Sequence, residues 1–234
     1  MRYDALRNGC HSGSKLRNPR VLLVAGIPAY ICPYQYIMPL DAALEHLQKQ
    51  VFAVHALSAE EWDDFSRIWQ PVAFKRKTVL TTAGETERHL YFVLEGVQRA
   101  FHVEADHPEA TVVFTYPYSF SGVADSFLTQ QPSRYFLETL TASKMLRTSH
   151  QQVQQLMDRY HNFERWVRLA TSFALMGVLE RQIELLSYSA EEKFRILLKR
   201  SPQVLQLIPH KYLASYLGMD ASTFSKLLAS VRIG

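Results

Sequence analysis

Residues 209–228 of the 234-residue chain read PHKYLASYLGMDASTFSKLL. Two short helices that cross at a steep angle need a small residue at the crossing. They also need a left-handed turn residue to end the first helix, and an apolar wedge between the two. Ala214, Gly218 and Phe224 supply these in order, and Leu213, Leu217 and Leu227 complete a small core. The offsets are those of a helix-turn-helix, with helices expected over 210–217 and 221–231 and Asp220 placed to cap the second. Ala221, Ser222, Thr223, Ser225 and Lys226 on its open face are small or carry donors, which suits close approach to a nucleic-acid groove. A solvated helix without a partner would more usually carry Glu–Lys pairs. The candidate DNA contacts are therefore Ser222, Thr223, Ser225 and Lys226, with Lys211 on the first helix. An ordinary αα-hairpin is the competing reading.

Working back from this stretch, helical periodicity covers residues 190–199, about 162–186 and 151–160. In the long helix Trp166, Leu169, Phe173, Met176 and Ile183 recur at three- and four-residue spacing, with Glu180 in the missing slot. Such a seam suits a parallel dimer helix, and packing on the chain's own β-domain is the alternative. Between residues 72 and 148 the period is that of strands. Short β-rich runs (72–74, 78–80, 90–94, 97–103, 110–116, 135–140, 144–148) alternate with turn signals such as Ala83-Gly84-Glu85 and Glu95-Gly96. Seven or eight short strands imply a β-sandwich or jelly roll. Ahead of them, Ser58 and Glu61 form a capping box for a helix with Trp62, Phe65, Ile68 and Trp69 on its apolar face. A further amphipathic stretch opens at Pro39-Leu40-Asp41.

Composition narrows the function classes. The chain is 47% hydrophobic and 21% charged, an ordinary globular balance. Cys10 and Cys32 are too few for a disulfide scaffold and have no metal-ligand spacing, so no metal and no cofactor are expected. A reducing cytoplasm fits that usage. No apolar run reaches the ~18–20 residues of a membrane span, and Pro28 and Pro33 break the best candidate. Residues 189–234 hold seven Lys/Arg against three acids, while residues 38–188 hold 14 against 18. A basic tail on an acidic body suits a polyanion at the tail. Residues 1–37 lack a sustained period and read as an irregular extension upstream of a natural start at Met38. A real arm is the alternative.

The order of parts, a capped helix, a β-roll, a long helix and a terminal helix-turn-helix, resembles the Crp/Fnr family of bacterial transcription regulators over residues 38–234. The matching residues are Gly84-Glu85, the run Leu90 to Gly96, Phe120-Ser121-Gly122 and Pro209 to Leu228. The implied architecture is α+β: a jelly-roll sensor domain over 38–160 with flanking helices, a dimerisation helix over 161–187, and an all-α helix-turn-helix domain over 188–234. The resemblance implies a homodimer that binds double-stranded DNA, with a roll that senses a small-molecule effector of unknown identity.

The chain departs from the family at its ligand and DNA contacts. Cyclic-nucleotide-binding members hold the phosphate with a Gly-Glu pair and, about ten residues on, an Arg-Ser pair. Here Val123 follows Gly122, and Ser133-Arg134 stands one place out, which in a strand reverses the face. Cyclic AMP is therefore not expected to bind in the usual way, and Ser121, Gly122, Ser133 and Arg134 are the candidate effector residues. A pocket that binds nothing is the alternative. In the recognition helix the family's Arg-Glu-Thr-Val-Ser/Gly-Arg appears as Ala221 to Lys226, losing the Arg that reads guanine and the Glu that reads cytosine. Phosphate contacts without much base readout are expected, with no β-wing after the helix. Two rivals remain. One is a dimeric interaction protein with a degenerate helix-turn-helix. The other is a cupin-like enzyme, disfavoured because His89-Leu90-Tyr91 offers a single imidazole where a metal pair is needed.

Overall fold

The computed structural model describes residues 38–230. The expected N-terminal extension and the end of the last helix lie outside the described residues. Two helices lead in, α1 (Leu40–Val54) and α2 (Ala59–Arg67). Eight strands follow: β1 (Gln70–Phe74), β2 (Val79–Thr81), β3 (His89–Glu95), β4 (Gln98–His102), β5 (Ala110–Thr115), β6 (Phe120–Ser121), β7 (Phe136–Thr139) and β8 (Ser143–Ser149). A short helix, α3 (Ala124–Thr129), lies between β6 and β7. The rest is helical: α4 (His150–Arg159), α5 (His161–Ser187), α6 (Ala190–Arg200), α7 (Val204–Leu207), α8 (His210–Tyr216) and α9 (Ala221–Ser230).

The strands form two antiparallel four-stranded sheets, ordered β1-β8-β3-β6 and β2-β7-β4-β5. This is the expected jelly roll. The chain passes from one sheet to the other at Gly96, whose φ is +95°. A Cβ there would meet Ser143 Oγ at 2.5 Å and Ala142 O at 2.6 Å, so both the backbone and the space require glycine.

Strand alternation divides the apolar residues between two cores. Tyr91, Val93 and Met145 face the roll interior with Ala100, Val123 and Leu137. Phe92, Leu94 and Leu146 face outward and are covered by Leu47, Val51, Phe65, Trp69, Phe163 and Trp166 from the helices. Phe65 is the centre of that layer, with Trp69, Phe163 and Trp166 ring centroids 4.9–5.6 Å away. The Ser58–Glu61 capping box is formed in both directions. An equivalent box, Ser149 with Gln152, starts α4 and had no counterpart in the sequence reading. Nor did β6, α3 and α7, each too short to leave a periodic signal.

A third core joins the roll to the C-terminal helices. Val97, Phe114 and Leu140 pack with Phe194, Leu197, Leu213, Leu217 and Phe224. The helix-turn-helix is thus seated on the outer edge of the β2-β7-β4-β5 sheet.

Candidate nucleic-acid interface

The helix-turn-helix is built on the residues that the sequence singled out. Ala214 is buried at the crossing of α8 and α9, and Phe224 is fully buried as the wedge. The Phe224 ring lies 5.3 Å from that of Phe194 and 5.4 Å from that of His210. Gly218 has φ +61°, and its N–H donates to the Ser215 carbonyl at 3.0 Å. Met219 N–H donates to the Ala214 carbonyl at 3.1 Å, closing α8 with a left-handed cap.

Asp220 begins α9 and engages more than the helix backbone. Its carboxylate accepts from Thr223 N–H at 2.8 Å, from the Thr223 hydroxyl at 2.8 Å and from the Ser222 hydroxyl at 2.6 Å. The Ser222 hydroxyl first, then the Thr223 amide and hydroxyl, hold this carboxyl well below the usual carboxylate range. The Ser225 hydroxyl donates to the Ala221 carbonyl at 2.9 Å. Three of the five candidate contacts therefore spend their hydroxyl protons inside the protein. Lys226 and Lys211 are exposed, the Lys211 ammonium lying 4.7 Å from the Tyr212 ring centroid. These are the two ammonium groups that the described residues of α8 and α9 present to solvent.

The α8 helix is held on the roll by a clamp that the sequence reading missed. The Arg99 guanidinium is buried between two rings, 4.0 Å from the Phe101 centroid and 3.7 Å from that of Tyr212. It pairs with Glu138 at 2.6 Å and also with Glu109. Ser215 accepts from Thr111 N–H at 2.9 Å and donates to the Glu109 carbonyl at 2.8 Å. Nearby, buried Glu184 pairs with Arg181 at 2.9 Å and with Arg200, and Arg181 reaches the Tyr216 carbonyl. The only sequence signal was an arginine inside the β-rich run 97–103.

The expected dimer seam divides along α5. Trp166 is a correction. It is buried in its own β-domain core, its indole N–H donating to the Val51 carbonyl at 2.9 Å. Leu169 is half-buried. Phe173, Met176 and Ile183 are 53%, 54% and 56% exposed, because the helix has run past the roll. Leu175, Val178, Leu179 and Leu186 are exposed there too, so the uncovered part of α5 is apolar on several faces.

Of the four candidate effector residues, Gly122 and Ser133 border one cavity: a Cβ at Gly122 would lie 3.3 Å from the His89 carbonyl, and Ser133 N–H donates to the Glu85 carbonyl at 2.8 Å. Ser121 is buried and accepts from the Thr115 hydroxyl at 3.0 Å. Gly122 has φ +142°. Ser133 is buried with its hydroxyl donated to the Tyr135 carbonyl at 2.7 Å, and Arg134 is exposed. That cavity, of about 430 Å³, lies along Leu80, Thr81, Glu85, Thr86, Glu87, Arg88 and His89. Glu87, inside it, is 2% exposed and makes no ion pair among the described residues. Burial raises its carboxyl above the ordinary value against the pull of its hydrogen bonds. With a buried carboxylate at this end of the roll and Arg134 outside, the residues present do not fit a phosphate.

Residues 71–160 match the cyclic nucleotide-binding domain family. No curated protein matches the chain in sequence. Among solved structures it is similar to FixK2 from Bradyrhizobium japonicum, at 13% identity over 69% of this chain and 83% of that one, with a TM-score of 0.62. It is also similar to a transcriptional regulator from Eubacterium rectale assigned to the Crp/Fnr family, at 12% identity, covering 74% and 82% of the two chains with a TM-score of 0.59. A third is the c-di-GMP responsive global regulator CLP of Xanthomonas campestris, at 16% identity over 74% and 90%, with a TM-score of 0.55. At these identities the likeness is one of fold. The β-roll, the long helix and the C-terminal helices follow one another as they do in these structures. No helix among the described residues is long and apolar enough to cross a membrane.

Proposed function

We propose that the chain is a homodimeric, DNA-binding transcription regulator that works in the cytoplasm, pairs along α5 and meets DNA with α9. The observation that carries this reading is the outer face of α9. Its helix-turn-helix scaffold is fully packed, while Ala221, Ser222, Ser225 and Lys226 are left exposed. The uncovered apolar residues of α5 support pairing, since a monomer rarely leaves so many together in water. The fold shared with FixK2 and CLP supports a regulatory rather than a catalytic role.

In this reading Lys226 and Lys211 hold phosphates, giving an affinity that is strongly salt-dependent. Asp220 sits at the end of α9 that enters a groove, and its carboxylate disfavours phosphate on that side. The operator therefore differs from that of regulators with an Arg-Glu reading pair. The test is binding of purified protein to genomic fragments at two salt concentrations. A few promoter fragments are selected, with affinity falling steeply at the higher salt. No selection at low salt contradicts DNA binding and leaves a dimeric interaction protein.

A further inference from the structure

Three donors from separate parts of the chain converge on the Glu87 carboxylate. One oxygen accepts from His89 N–H at 3.0 Å. The other accepts from the Thr81 hydroxyl and from Val123 N–H at 3.4 Å. The rest of the residue is held as firmly. Its N–H donates to Ser126 Oγ at 2.9 Å, and its carbonyl accepts from the Gln130 side chain at 3.2 Å. Glu87 thus ties the end of β2 and the start of β3 to the turn that opens α3.

Donors aimed at one point from several segments form an anion cradle. Here a side chain of the protein fills it. An added anion would lie against a like charge at the buried edge of the roll, where screening by water is weak. Two cations act on the neighbouring His89 rather than on Glu87. The His89 imidazole is held below its ordinary value by burial, then by Arg147 and Arg88. Arg88 is exposed and Arg147 half-buried, and neither pairs with Glu87.

We propose that Glu87 is a built-in anion occupying the cradle of the cyclic nucleotide-binding domain, so that the roll completes its fold without a phosphate and excludes anionic nucleotides. This rests on the domain and its geometry, and is independent of whether α9 binds DNA.

The full chain is tested in two ways. Calorimetric titration of the wild-type protein with cyclic AMP and cyclic GMP up to ~1 mM shows no saturable heat. Glu87→Ala strands the three donors and lowers Tm by roughly 5–10 °C. Acetate at ~100 mM refills the cradle and restores part of that loss, by binding the folded state alone. Sodium chloride at the same ionic strength does not restore it, and the wild type responds alike to both salts. If Glu87→Ala does not fold, Glu87→Gln serves. It keeps the shape and one acceptor oxygen, but turns an amide donor toward the remaining donors. It is expected to melt below wild type with no acetate response. Saturable cyclic nucleotide binding by the wild type at Kd below ~100 µM overturns the proposal. So does a Glu87→Ala variant that melts with wild type or gains equally from acetate and chloride, or a Glu87→Gln variant that melts at or above wild type.

Discussion

The double substitution Phe173→Ala/Ile183→Ala separates pairing from folding. Both side chains are a little over half exposed, at 53% and 56%. Fully burying such a side chain is worth about 1.5–3 kcal/mol, so sealing the exposed half against a partner contributes about 1 kcal/mol each. Two side chains in two protomers make about 4 kcal/mol per dimer, or roughly a thousandfold in the dimer Kd. Neither residue belongs to a buried core cluster of its own chain, so the monomer should keep its fold. Trp166→Ala is the contrasting variant. It opens the aromatic layer around Phe65 and should cost ~3–5 kcal/mol of folding stability with little direct effect on pairing. Sedimentation equilibrium over a concentration series reads the first effect, and thermal melts read the second. A wild-type protein that stays monomeric at ~100 µM refutes the reasoning, because half-exposed side chains on this scale would pair well below that concentration. A double variant with an unchanged dimer Kd refutes it equally.

Three further outcomes follow from the same geometry. Lys226→Ala should weaken DNA binding about equally on all sequences and reduce the salt slope by about one, read from titrations at several salt concentrations. A changed sequence preference contradicts its phosphate role. Arg99→Met leaves part-buried Glu138 without its cation and takes the guanidinium off the Tyr212 ring, for a loss of about 2–4 kcal/mol and a Tm lower by roughly 5–15 °C. An unchanged melt means that the clamp does not hold α8 on the roll. Thermal melts across the acid range should show two opposite pH effects. Glu87 binds its proton more tightly folded than unfolded, so its share of stability falls as pH rises through its raised value, and Glu87→Gln flattens that slope. Asp220 binds its proton less tightly folded. Its contribution is full above its unfolded value and fades as pH drops below it, and Asp220→Asn removes that dependence.

The helix-turn-helix was legible because its demands are local: a small residue, a left-handed residue and a wedge at fixed offsets, with no remote partner needed. The strands were legible from alternation, as at Tyr91 to Leu94, where successive residues go to opposite cores. Other features depend on which segments the fold brings together. Trp166 and Phe173 share one helical pattern, yet the roll and lead-in helices cover only the first turns of α5. One residue therefore belongs to the core and the other is exposed. Glu87 looks like one more turn carboxylate until Thr81, His89 and Val123 close on it from three segments. Arg99 in its strand gave no sign that Tyr212, more than a hundred residues on, would cover it. At Ser222 and Thr223 residue type alone suggested free donors, but a neighbouring cap had already claimed them.

A footprint of the protein on a selected fragment shows whether a dimer paired along α5 meets DNA with both copies of α9. Two protected half-sites related by a dyad are expected, their centres about one helical turn (~10–10.5 base pairs) or a multiple apart. Protection of both should be lost together in Phe173→Ala/Ile183→Ala. A single protected half-site that persists in that variant, or no protection at low salt, contradicts that arrangement.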